Sequence, residues 1–310
     1  MTAQIDILLA TYNSADFLAQ TMDSVLQQDS TDWRLLISDG GSTDATLEIV
    51  DQYAKQQPEK IILIPSESPL SARENFSALL DKSSSDYVMF CDHDDIWLPG
   101  KISKTQAAMQ QAQQQYGPQT PLLVFTDSKV ADQNCNILSN SNLSYQNLNP
   151  ERLNLNQLLL QNVPSGCTMM INRALVDLSR PIPPQAAMHD HWVSLVAAAF
   201  GKIIFLDEPT LLYRQHDDNY YGASNYGWGH FYRRYRQGTG AARERLRQYI
   251  DQAETFYDRY AQSLQPQYRQ MLAELSQWHQ LSWLGRRRLL LKHRILKTGF
   301  RRNLGLFLIA

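Results

Sequence analysis

Over its first 110 residues the chain alternates short apolar runs with stretches of helical periodicity, and nothing else in it restricts the fold as tightly. Ile5–Ala10, Trp33–Ser38, Ile61–Ile64 and Tyr87–Phe90 have the length and β-rich composition of buried strands. Between them, Ala15–Gln28 sets Phe17, Leu18, Met22, Val25 and Leu26 on one side of a helix. Ser42-Thr43-Asp44 supplies capping groups for a second helix reaching Tyr53, and Asn75–Leu80 is a third helical stretch. Strands separated by helices pair in parallel through crossovers, so this order predicts an α/β fold with a mostly parallel sheet flanked by helices.

The second half is less regular. Leu122–Thr126, Cys167–Ile171 and Ile203–Leu206 read as further strands, Trp192–Phe200 as a helix, and the Asn- and Ser-rich Asn134–Asn156 as loop. Gln106–Gln115 reads as an exposed helix face. From about Gly222 the pattern becomes helical, basic and aromatic, which divides the chain into an α/β domain at 1–221 and a basic helical region at 222–310.

With 310 residues, 43% of them hydrophobic, the chain can bury a full core, yet no run reaches the roughly 18 apolar residues of a membrane span. Neither a charged leader nor a cleavage site precedes Ile5, and the three unevenly spaced cysteines read as free thiols, so the expected location is the cytoplasm. The net charge of -2 conceals an asymmetry: residues 230–310 hold 16 Lys and Arg against 5 Asp and Glu, which leaves the body acidic. Arg286-Arg287-Arg288, Lys292, Arg294, Lys297, Arg301 and Arg302 interleave with leucines and Phe300. Two readings of that tail stay open: helices lying on an anionic membrane surface, or helices packed on the catalytic domain. No nucleic-acid recognition module accompanies the charge, and nucleic acid is not an expected partner.

Chemistry concentrates at Cys91-Asp92-His93-Asp94-Asp95, directly after the fourth strand, where carboxylates project into the crevice at which open α/β sheets bind ligands. Such oxygen ligands suit Mg²⁺ or Mn²⁺ at a diphosphate. After the first strand, Thr11-Tyr12-Asn13 offers a stacking ring and hydrogen-bonding groups; after the second, Asp39 can accept from a base or ribose. Asp190 precedes an apolar helix whose dipole favours its charged form, while His189 and His191 beside it also admit a zinc or general-base reading. Arg214 has the donors to grip phosphate, as Arg73 and Lys101 do more weakly, and His216 can add a metal or diphosphate contact.

Seven segments in order carry a family resemblance: Thr11-Tyr12-Asn13, Ser38–Thr46, Asn75-Phe76, Asp92–Lys101, Gly166-Cys167-Thr168, His189–Trp192 and Tyr213–His216. On these the chain resembles the inverting family 2 glycosyltransferases of the GT-A fold, in particular bacterial rhamnosyltransferase-type members, over roughly residues 5–220. The resemblance implies a nucleotide-sugar site at Thr11, Tyr12, Asn13, Asp39, Arg73, Asp92 and Arg214, and a metal held by Asp94 with Asp92 and His216. It also implies Asp190 as the catalytic base. The expected donor is dTDP-rhamnose, with UDP- or GDP-sugars as the alternative. The expected acceptor is a glycan or lipid-linked saccharide in O-antigen or capsule synthesis, reached from the inner face of the cytoplasmic membrane. The chain departs from many relatives in having Gly40 where a second Asp follows the first, which leaves the base open. A nucleotidyltransferase would carry a Gly-rich basic loop where Thr11–Ala15 stands. A non-catalytic scaffold would have no need of carboxylates at 92, 94 and 190.

Overall fold

A computed structural model describes residues 5–66, 69–216 and 240–310. Its strands are β1 (Ile5–Thr11), β2 (Trp33–Asp39), β3 (Ile61–Leu63), β4 (Tyr87–Asp92), β5 (Ile96–Trp97), β6 (Leu122–Ala131), β7 (Ile137–Ser139), β8 (Met169–Asn172) and β9 (Lys202–Arg214). They form one mixed sheet in the order β3-β2-β1-β4-β8-β6-β9-β5, with β7 paired to β6. The first four strands are parallel, as the crossover pattern requires. Beyond β4 the pairing is mixed: β8 runs antiparallel to β4 and β6, β9 runs parallel to β6, and β5 antiparallel to β9.

Helices cover both faces, which is why the parallel strands read as mostly apolar runs, broken only where Asp6 of β1 pairs with Arg34 of β2 and at the polar carboxyl ends. Leu8 and Ala10 of β1 face a cluster containing Phe76, Leu79 and Leu80 of α3 (Ala72–Lys82, after α1 at Leu18–Leu26 and α2 at Thr46–Gln56). Ile5, Ile7 and Leu9 face the opposite cluster, with Leu18 and Met22 of α1 and Ile102 and Met109 of α4 (Lys101–Tyr116). The segment expected as loop contains β7 and the single turns α5 (Asn142–Tyr145) and α6 (beginning at Leu155 and ending at Leu158). They escaped the sequence because three- and four-residue elements carry too few positions to show a period. α7 (Arg173–Ser179) and α8 (His189–Phe200) complete the catalytic body.

Four further helices follow among the described residues: α9 (Gly240–Tyr260), α10 (Pro266–Leu275), α11 (Trp283–Lys292) and α12 (Phe300–Ile309). Their inner faces pack on the body. Ile250 and Phe256 of α9, Leu272 of α10, Leu290 of α11 and Leu306 of α12 share one core with Trp192, Val193 and Val196 of α8. Burying a side chain such as Phe256 contributes on the order of 2–3 kcal/mol. The expected division at 221/222, and the onset of the helical pattern at Gly222, lie outside the described residues. No described helix is long and apolar enough to cross a membrane. Cys91, Cys135 and Cys167 are free thiols.

Candidate active site

The parallel register sets Thr11 opposite Asp39 and Ala10 opposite Asp92, so the carboxyl ends of β1, β2 and β4 meet at one edge of the sheet. In the turns leaving β1 and β2, Asp39 organises the backbone. Its Oδ1 accepts from Thr11 Oγ1 at 2.8 Å and Ser42 Oγ at 2.6 Å, and its Oδ2 from the N–H groups of Gly41 at 2.9 Å and Ser42 at 2.7 Å. Those four bonds match the roughly four acceptor positions of a carboxylate. Asn13 adopts a left-handed conformation with φ 43°, which asparagine tolerates, and its Oδ1 accepts from Thr43 N at 2.8 Å. Tyr12 is left 56% exposed, its ring open to stacking. Gly40 donates to the Thr11 carbonyl at 2.8 Å, and a Cβ there would sit 2.8 Å from the Leu70 carbonyl. There is therefore no room in this turn for the second carboxylate.

The acidic cluster divides by direction. Asp94 accepts from His216, with Nε2 to Oδ2 at 3.0 Å, and Phe17 stacks on that imidazole at 4.4 Å. Burial alone would raise the Asp94 carboxyl, but the His216 bond and the charges of His93 and His216 hold it below the usual range. Burial, then the charges of Asp94 and Asp190, push the Asp92 carboxyl up to about 7. Asp95 turns inward: its Oδ1 accepts from Arg214 N at 3.3 Å, and burial lifts its carboxyl well above the ordinary range. The Cys167 sulfur lies within 4.8 Å of carboxylate oxygens of both Asp92 and Asp95, and burial raises its thiol as well. Lys101 is fully buried, 3.2 Å from Thr210 Oγ1 and 4.9 Å above the Trp97 ring, which removes it from any phosphate. His93 bends back, its Nδ1 3.3 Å from the Ala10 carbonyl.

Asp190 lies in the first turn of α8, which starts three residues before the expected Trp192. Its Oδ2 accepts from Gly166 N at 3.1 Å and its Oδ1 from His191 N at 2.6 Å. Burial outweighs these bonds and raises the carboxyl to about 6. The flanking histidines point elsewhere. His189 is buried between Phe76 at 4.0 Å and Phe90 at 4.7 Å, and burial lowers it to about 3, so it is neutral and a poor base. His191 Nε2 lies 2.6 Å from the Leu158 carbonyl and must carry the hydrogen; its Nδ1 then accepts from Gln252 Nε2 at 3.3 Å. Gln252, fully buried on α9, also accepts from Ala187 N at 2.8 Å.

Two cations expected at phosphate have local partners. Arg73 donates to the Ala186 carbonyl at 3.2 Å and pairs with Glu74 at 3.4 Å. Arg214 is buried, donates to Gln20 Oε1 at 2.9 Å and covers the Phe17 ring. Asp94 and His216 therefore meet at 3.0 Å, while the Asp92 carboxylate lies with Asp95 and Cys167, near enough to Asp94 and Asp190 for their charges to act on it. Gln252, Gly166 N–H and Phe17 are supports that sequence reasoning did not assign.

The chain matches Glycosyl transferase family 2 over residues 6–177, more than half its length. It belongs to that family. This family 2 glycosyltransferase is 28% identical over 235 residues to dTDP-rhamnosyl transferase RfbG of Shigella flexneri, covering 70% of this chain and 74% of that protein. It is 24% identical over 174 residues to UDP-Glc:alpha-D-GlcNAc-diphosphoundecaprenol beta-1,3-glucosyltransferase WfgD of Escherichia coli, covering 56% of this chain and 62% of that one. Its fold is similar to mannosyltransferase PcManGT from Pyrobaculum calidifontis, solved with GDP-Man and Mn²⁺, with a TM-score of 0.56. That likeness covers 95% of this chain and 87% of the other at 13% identity, and it speaks to the GT-A fold alone.

Proposed function

We propose that this glycosyltransferase moves a sugar, with inversion, from a nucleotide-sugar donor to a hydroxyl of a glycan or lipid-linked saccharide at the inner face of the cytoplasmic membrane. The product belongs to surface polysaccharide synthesis, of the O-antigen or capsule type. dTDP-rhamnose is the favoured donor, supported by the named activity of the Shigella relative; a UDP-sugar is the second reading, supported by the Escherichia one.

The observation that carries this reading is a buried carboxylate, Asp190, with a pKa of about 6, set within electrostatic reach of Asp92. A general base works best when its pKa lies near the operating pH, so that it is ionised yet still basic. In the reaction, the acceptor oxygen forms a bond to the anomeric carbon while the bond from that carbon to the diphosphate oxygen breaks. The electron pair leaves with the nucleoside diphosphate, and the acceptor proton passes to Asp190 and on to solvent. The bonds from Gly166 N–H and His191 N–H hold both Asp190 oxygens in place for that transfer.

Asp94 with its partner His216, and Asp92 two residues before it, offer two carboxylates and an imidazole, donor chemistry that suits Mg²⁺ or Mn²⁺; an ion there would draw the Asp92 carboxylate from its place beside Asp95 and Cys167. Burial first, and then the charges of Asp94 and Asp190, raise the Asp92 carboxyl, and a cation beside it would favour its charged form. Bound there, the ion supplies positive charge against the departing diphosphate. Tyr12 offers its ring to the base, while Thr11, Asn13 and Asp39 fix the turn that presents it.

Calorimetric titration with dTDP-rhamnose, UDP-glucose, UDP-galactose and GDP-mannose, each with Mn²⁺ and with chelator, tests the reading. One donor is expected to bind only with metal, and Asp94→Asn to weaken it roughly tenfold or more. Binding that ignores both chelator and the substitution would overturn the metal assignment, and turnover with no donor of any class would overturn the function.

A further inference from the structure

The outer faces of the last two helices are not used by the fold. On α11, Trp283 is 60% exposed, and Leu284 and Leu291, seven residues apart, lie open on one side while Leu289 and Leu290 face the core. On α12, Phe300 is 81% exposed and heads a stripe with Leu304 and Leu308 at four-residue spacing, opposite the buried Leu306. Arg287 fastens the two helices: it stacks 3.4 Å over the Trp283 ring and donates to the carbonyls of Trp283, Phe307 and Ala310. A lone exposed leucine needs no explanation; six large apolar side chains on two joined helices do.

Charge selects what covers them. From Leu275 to Ala310 the chain has eight Lys and Arg and not one Asp or Glu. Arg288, placed between Leu284 and Leu291, and Arg294 are exposed and make no ion pair among the described residues. Arg288 also lines a recess of about 310 Å³ with Leu281, Leu289, Lys292 and Glu274, whose carboxylate pairs with Lys292 and His293 and leaves Arg288 to face outward. Apolar stripes bordered by uncompensated cations match the boundary between headgroups and acyl chains of an anionic bilayer.

Position adds a second argument. The segment between the two helices is clasped to residues 146–161: Asn156 donates to the carbonyls of His293 and Arg294 at 3.1 and 3.2 Å, Thr298 N donates to Gln161 Oε1 at 2.7 Å, and Arg302 donates to the Asn147 carbonyl at 2.6 Å. That same stretch supplies the Leu158 carbonyl to His191 and leads to Gly166, the residue that hydrogen-bonds Asp190.

We infer that the outer faces of α11 and α12 dock this enzyme on an anionic membrane surface, with Trp283, Leu284, Leu291, Phe300, Leu304 and Leu308 entering the interface and Arg288 and Arg294 meeting lipid phosphates. The link to a lipid-borne acceptor rests on the function proposed above; the docking itself does not. Flotation of the full chain with phosphatidylglycerol vesicles and with phosphatidylcholine vesicles reads it directly. Binding is expected to the anionic vesicles, to weaken with added salt, and to be weak on neutral ones. Arg288→Gln with Arg294→Gln should lower the partition coefficient roughly 25-fold, at about fivefold per cation. Leu284→Ser with Phe300→Ser should lower it without changing its salt dependence, and both pairs should keep the wild-type melting temperature. Equal binding to both lipids, no binding to either, or variants that float like wild type would overturn the inference. So would a wild-type dimer that these substitutions convert to monomer, because the face would then belong to a second copy of the chain.

Discussion

The turns after β1 and β2 and the turn that carries Asp190 are held by different means. Around Asp39 the bonds run within one turn or between two neighbouring ones, joining residues 11–13 to 39–43. Around Asp190 the contacts come from afar: Gly166 from the strand-forming body, Leu158 from a single helical turn, and Gln252 from a helix more than sixty residues on. The first region is shaped by local hydrogen bonding and tight backbone. The second is shaped by packing of the C-terminal helices. Damage to the first should therefore appear as lost stability or donor binding, and damage to the second as altered catalysis.

The sharpest test of that contrast is Asp190→Asn. Loss of a general base costs about 10²- to 10⁴-fold in kcat, while donor affinity should stay near wild type. Above pH 6 the wild-type carboxyl is charged in a buried place, which disfavours the folded state, while the amide turns an NH2 toward one of the two N–H donors; the two effects oppose, so stability at pH 7 should stay within about 1 kcal/mol of wild type. The same group sets the acid limb of the wild-type profile. Only the deprotonated form accepts a proton, so kcat/KM should be level above about pH 6 and fall tenfold per pH unit below it, and the limb should vanish from the residual activity of the variant.

Gly40→Ala tests the other region. The new Cβ would meet a backbone carbonyl at 2.8 Å, which cannot yield as a flexible side chain would, and overpacking of this kind costs about 1–3 kcal/mol. Denaturant unfolding should report that loss, with weaker donor binding beside it. A wild-type midpoint would mean that residues 69–70 move aside and that the turn is less rigid than its bonds suggest. The smallest effect is expected for Gln252→Leu, which leaves His191 Nδ1 without its donor and Ala187 N–H without its acceptor. A fall of roughly threefold to tenfold in kcat, with an unchanged KM for donor and a displaced acid limb, would mark a positioning role, since about 1 kcal/mol accompanies such a bond. A pure stability loss with an unmoved pH profile would make the residue structural only.

The contrast also governs what the amino-acid order reveals. β1, β2 and β4 were legible because burial on both faces leaves mostly apolar runs, and their shared register then set Thr11, Asp39 and Asp92 at one end of the sheet; β3, at the edge with Leu63 exposed, was legible from its short aliphatic run. β9 was read only to Leu206. The strand continues through Asp207-Glu208-Pro209, which resembles loop, because a register shift opposite Asp127 accommodates the proline. Asp94, Asp190 and His216 were singled out by motif position, whereas the neutrality of His189 depends on its burial between Phe76 and Phe90, which no local pattern announces. Gln252 is one glutamine among many on a polar helix. Its role exists only once α9 has folded against α8.

That shared core between α8 and the C-terminal helices also limits how the enzyme can be recombined. A chimaera joined near residue 216 would inherit a foreign partner for Trp192, Val193 and Val196, together with a His191 ring that keeps the Leu158 carbonyl but loses Gln252. Exchange of donor preference is better attempted by grafting the loops after β1 and β2 into the whole chain, since those turns carry their own bonds with them. In this molecule the tail is the template against which the Asp190 turn is cast, so the two must travel together.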